Sequence, residues 1–112
     1  MATSFDNTYV LDFDKAIDLI KTYFKTHFTP FILVKEYDLP TGYWGITYST
    51  ENDTISINCG RGYLEYQITL SGQTFDLVKF DSQMERIKVA SKNNILFLLD
   101  TVKRVLTNKN LA

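Results

Sequence analysis

The sequence predicts an α+β fold of two layers: an N-terminal helix, a five-stranded antiparallel meander and a C-terminal helix, with both helices on one sheet face. Three observations lead there. Apolar residues recur at helical spacing near each end of the chain, the middle switches to strict alternation, and three separate turn assignments send the same side chains inward. A chain of 112 residues with 45% hydrophobic content suits one domain over 1–112. Its seven Tyr, eight Phe and one Trp supply ample core volume.

The first helix is read over 12–27, where Phe13, Ala16, Ile17, Ile20, Tyr23 and Phe24 share a face. Asp12 or Asp14 is placed to cap its start, and Pro30 bars its continuation. "FILVKEYD" (31–38) and "YWGITYS" (43–49) read as strands joined by a turn holding Pro40 and Gly42. In 54–59 and 63–70 the period is two: Ile55, Ile57, Cys59, Leu64, Tyr66, Ile68 and Leu70 fall on one side, polar residues on the other. "TFDLVKF" (74–80) reads as a fifth strand. Residues 81–90 are ambiguous, and Ser82 with Glu85 fits a capping box. The last helix begins after Ser91, with Ile95, Leu98, Leu99, Val102, Val105 and Leu106 as its apolar stripe.

Turn chemistry sets the register. A two-residue loop at Gly60-Arg61, glycine first, places Cys59 opposite Gly62, Ile57 opposite Leu64 and Ile55 opposite Tyr66. A loop centred on Glu51-Asn52 sets Tyr48, Ile46 and Trp44 opposite Ile55, Ile57 and Cys59. A loop at Ser71-Gly72 sets Ile68 opposite Phe75 and Tyr66 opposite Leu77. All three agree on the dry face, which a one-residue slip would scramble.

Reaction chemistry is sparse. Cys59 is the only cysteine and His27 the only histidine. The register turns Cys59 into the core beside Trp44, where a thiol is a small hydrophobe, so "CGRG" is a turn with Arg61 at its tip. No metal ligand set, phosphate loop or dinucleotide fingerprint is present. The expectation is no catalytic residues, no metal and no cofactor. A net charge of −1 disfavours nucleic acid. Acids prevail in 1–56 and bases in 57–112, read as two solvated faces of differing sign. No apolar run approaches a membrane span. With no disulfide possible and no signal segment, a soluble, cytoplasmic protein is expected.

If both helices cover one face, the other is open. On it the expected register gathers Tyr43 opposite Gly60, Tyr63 opposite Phe80 and Glu65 opposite Val78, beside Arg61. Tyr43, Arg61, Tyr63, Glu65, Val78 and Phe80 are therefore the candidate partner-binding set. Tyrosine and arginine offer apolar area with a polar handle, as interface anchors do.

The layout of a single domain near 110 residues, helix–meander–helix order and an acidic-leaning, aromatic-rich surface resembles the small bacterial immunity proteins that neutralise toxin domains, such as those of contact-dependent growth inhibition. That resemblance implies a bacterial, cytoplasmic toxin inhibitor or antitoxin, not an enzyme. It would be a monomer or weak dimer that binds a cognate toxin domain tightly and occludes its active site. The same outline resembles secretion chaperones, which dimerise and hold an effector segment. A small-molecule-binding domain is the third alternative.

Overall fold

A computed structural model describes residues 5–111, with side chains described through 108. Helix α1 (Phe13–His27) leads into strands β1 (Ile32–Leu39), β2 (Tyr43–Ser49), β3 (Asp53–Gly60), β4 (Tyr63–Leu70) and β5 (Gln73–Phe75). A one-turn helix α2 (Leu77–Phe80) and a 3-10 turn (Ser82–Arg86) precede the long helix α3 (Lys92–Leu111). The strands form one antiparallel sheet in the order β1-β2-β3-β4-β5, the expected meander.

The core lies between the sheet and the helix layer. Ala16, Ile17, Ile20, Tyr23 and Phe24 of α1 and Ile95, Leu98, Leu99, Val102 and Val105 of α3 are buried. They meet Trp44, Ile46, Tyr48, Ile55, Ile57, Cys59, Leu64 and Ile68 from the sheet. Phe24 stacks on Tyr48 with ring centres 3.8 Å apart, fixing α1 over β2. Next to Phe24, the Tyr23 hydroxyl donates to Asp100 Oδ1 and joins α1 to α3.

The β2–β3 pairing is the expected one, with Trp44 opposite Cys59, Ile46 opposite Ile57 and Tyr48 opposite Ile55. The β3–β4 pairing corrects the sequence reading. Gly60 opposes Tyr63, Cys59 opposes Leu64, Ile57 opposes Tyr66 and Ile55 opposes Ile68. The loop is therefore Arg61-Gly62 rather than Gly60-Arg61. Both loop residues have positive φ, 53° and 88°. That is the signature of a type I′ turn, which wants glycine second and matches strand twist. The turn has moved one position along the chain, so each partner changes by two residues, and side chains keep their faces.

The second correction concerns the fifth strand. It ends at Phe75 instead of running through Phe80. Asp76 stops it: Oδ1 accepts from Val78 N at 3.0 Å and Lys79 N at 3.3 Å, capping α2. A local side-chain bond of this kind competes with a sheet ladder. Leu77 is buried but as a helix residue, not as a strand partner of Tyr66. The following 3-10 turn is capped by Asp81, whose Oδ1 accepts from Gln83 N at 3.0 Å, rather than by Ser82 with Glu85.

At the helix starts, Ser91 acts as expected: its Oγ accepts from Asn94 N at 3.2 Å. Asp12 occupies the cap position of α1, but its side chain makes no capping bond there. The end of α1 at His27, ahead of Pro30, agrees with the sequence.

Candidate functional site

The open sheet face is organised in cross-strand rows, because directly opposed residues share a face. One row reads Leu39, Tyr43, Gly60, Tyr63 across β1 to β4; the next reads Tyr37, Gly45, Asn58, Glu65. Towards the far end of the strands come Lys35, Thr47, Ser56 and Gln67. There the hydroxyls satisfy one another, Thr47 with Ser56 and Ser49 with Thr54, each at 3.0 Å. The face thus has a self-paired hydroxyl end and an aromatic end near the Arg61-Gly62 turn.

Tyr43 and Tyr63 flank Gly60 from the two neighbouring strands. Tyr43 leans over the glycine: a β-carbon added to Gly60 would lie 3.0 Å from its Cε1. Tyr43 remains 37% exposed and Tyr63 61%. Glu65, two residues beyond Tyr63 on the same face, is exposed and makes no ion pair among the described residues. Arg61 is exposed at the tip of the turn. Four of the six residues expected at the site, Tyr43, Arg61, Tyr63 and Glu65, therefore gather at one end of the open face and its rim.

Val78 and Phe80 do not join them. With β5 ending at Phe75, Tyr63 bridges Val89 instead of facing Phe80, and Val78 lies in α2 rather than opposite Glu65 on a fifth strand. Phe80 packs near Phe75, ring centres 6.1 Å apart, beneath the Arg104 guanidinium at 5.5 Å. Arg104 also pairs with Asp81 at 2.7 Å, and that guanidinium lowers the Asp81 pKa. Both Val78 and Phe80 are half-buried against the core.

The sequence reading missed Tyr37. Its ring lies over Gly45, with the hydroxyl 3.5 Å from Asn58 Oδ1 and the Lys35 ammonium 5.7 Å from the ring centre. The signal was available: alternation in β1 with the register to Gly45 puts Tyr37 on the open face.

Cys59 is buried, and burial raises its pKa, so the thiol is held protonated. His27 is exposed at the end of α1 with its ring 4.4 Å from that of Tyr23. Among the described residues no group of three His, Cys, Asp or Glu side chains is placed to hold a metal ion, and no helix is long and apolar enough to cross a membrane. What the open face offers is three phenol rings, an amide and a carboxylate on a stiff backbone, suited to recognition by contact. Comparisons with protein-family models, curated proteins and solved structures return no match for this chain.

Proposed function

We propose that this chain is a protein-binding inhibitor of the immunity type, a cytoplasmic antitoxin that docks a cognate bacterial toxin domain on its open sheet face and occludes the toxin's active site. The observation that carries the reading is the Tyr43–Gly60–Tyr63 row. Two exposed rings stand on adjacent strands with the unpaired Glu65 carboxylate beside them, on the face the helices leave uncovered. Rigid aromatic side chains anchor interfaces at little entropic cost, and a buried anchor carries about 2 kcal/mol or more. Glu65 suits a basic partner, and complementary charge speeds encounter.

The reading expects a toxin-bearing gene directly upstream, and the test is co-expression of this chain with that gene's toxin domain. The wild-type chain should restore growth and co-purify with the toxin as a stable complex. Tyr63→Ala should weaken that complex roughly 30-fold, the equivalent of about 2 kcal/mol. Growth arrest unrelieved by the wild-type chain, or affinity untouched by Tyr43→Ala with Tyr63→Ala, would remove the proposal. A stable dimer wrapped around a secreted effector segment would replace it with the chaperone reading.

A further inference from the structure

The two edges of the sheet are treated differently. Beside β4, residues 88–90 run along the backbone: Leu64 N donates to Lys88 O at 2.9 Å, Ala90 N donates to Gly62 O at 2.8 Å, and Tyr63 bridges Val89. At the strand's other end β5 pairs with Ile68, Thr69 and Leu70. Among the described residues β1 pairs with β2 alone, and no strand of the sheet lies along its outer side. The first part of that free edge, residues 32–34, is also apolar, while Lys35, Glu36 and Asp38 are charged and exposed further along. Ile32 is 68% exposed and Val34 58%, and Leu33 and Leu39 are exposed as well. Unpaired backbone donors and acceptors beside exposed aliphatic side chains form a template for one kind of ligand, an extended strand.

A cleft of about 310 Å³ opens at the same place, lined by Lys21, Phe24, Lys25, Thr29, Phe31 and Tyr48. Leu33 opposes Tyr48, so the cleft and Leu33 share the helix side of the sheet, and Phe31 leads directly into β1. Aromatic rings line the cleft beside two lysines. Lys21 is engaged by Glu36 at 2.7 Å, whereas Lys25 makes no ion pair among the described residues.

We propose that β1 is a strand-addition site: an extended segment of a partner protein pairs with its outer edge, and an acidic side chain of that segment turns to the helix side and meets Lys25 in the cleft. Main-chain bonds supply the affinity, and the cleft, reached by alternate side chains, supplies the selectivity. A second copy of this chain fits poorly. Two-fold antiparallel pairing sets one residue against itself on the axis. The two symmetric registers of greatest overlap oppose Lys35 to Lys35 or Glu36 to Glu36, and like charges directly opposed destabilise a sheet. The site does not depend on the open-face tyrosines.

Selection of random peptides displayed against the full-length chain, followed by fluorescence anisotropy of the recovered peptide made synthetically, tests this. Recovered peptides should carry one Asp or Glu among apolar residues, and should slow amide exchange in 32–39. Lys25→Glu, at an exposed position, should weaken binding at least about tenfold, with unchanged circular dichroism, while Tyr63→Ala should leave it intact. Failure to recover any peptide would overturn the proposal. So would protection of amides elsewhere, or binding indifferent to Lys25→Glu. A concentration-dependent dimer that protects β1 would also overturn it, making a second copy the occupant.

Discussion

The ring of Tyr37 lies so close over Gly45 that a β-carbon on the glycine would sit 2.5 Å from Tyr37 Cε1 and 2.3 Å from Asn58 Oδ1. The absence of a side chain at Gly45 is what lets β1 lay its tyrosine flat on the open face and reach Asn58 on the strand beyond.

Gly45→Ala should therefore destabilise the protein by about 1–3 kcal/mol, the usual cost of overpacking. Tyr37→Ala should cost less, up to about 1 kcal/mol for a lost cross-strand contact. In urea denaturation the double variant should be more stable than the sum of the singles predicts, because removing the ring relieves part of the clash. Strict additivity would show that the two residues do not meet.

Asn94 is fully buried at the start of α3 and holds the N-terminal segment in place. Its Nδ2 donates to Asp6 O and Asn7 Oδ1 at 2.9 Å and to Val89 O at 3.0 Å, while its Oδ1 accepts from Asp6 N at 3.1 Å. Asn94→Ala leaves several of these groups without a partner and should cost about 2–3 kcal/mol. Asn94→Asp should be worse, since the replacement turns a donor into an acceptor facing the Asp6 and Val89 carbonyls. Thermal melts read both, and amide exchange should rise first in residues 5–11.

Phe80 and Tyr63 should separate stability from binding. Phe80 lies between Phe75 and Arg104, so Phe80→Ala should lower stability by about 1–2 kcal/mol and leave partner affinity alone. Tyr63→Ala should do the reverse, with stability held within about 0.5 kcal/mol, as for most surface substitutions. Equal stability losses in the two variants would place Tyr63 in the fold rather than at an interface.

Alkaline pH should expose the buried tyrosines. Burial, and then the bond to Asp100, raise the Tyr23 pKa well above the usual phenol; burial raises Tyr48 and Tyr66 too. Above about pH 10 the unfolded chain loses phenolic protons that the folded chain keeps. The stability associated with these groups is thus fully present below that pH and falls as pH climbs through their folded values. Tyr23→Phe should cost about 1 kcal/mol near neutrality, for the lost hydrogen bond, and should show a shallower decline between about pH 9 and pH 11 in urea titrations. An unchanged slope would mean that Tyr23 ionises in the folded chain as it does in the unfolded one.

Much of this was legible in the residues themselves. Alternation from Trp44 to Tyr48 and from Ile55 to Cys59, with the turn between them, determined both the pairing and the inward face. The helical stripe after Ser91 determined α3 and its cap. Cys59 was placed in the core because period-2 patterning survives a turn that moves by one position: the partner changes by two residues and the face does not. Those are local properties, set by pattern and by backbone preference.

Three things were decided only by the assembled structure. Asp76 had two options, a ladder position in β5 or a cap on α2, and the difference between them depends on where Leu77 and Phe80 find the core. Residues 88–90 became an edge cover because Asn7 and Asn94, 87 positions apart in sequence, are brought together and bind that segment. Tyr37 joined the open face through a contact with Gly45, whose missing side chain has meaning only when another strand lies beside it. Periodicity reports which side of an element is dry; it carries no record of which distant group will complete a hydrogen bond or fill a notch.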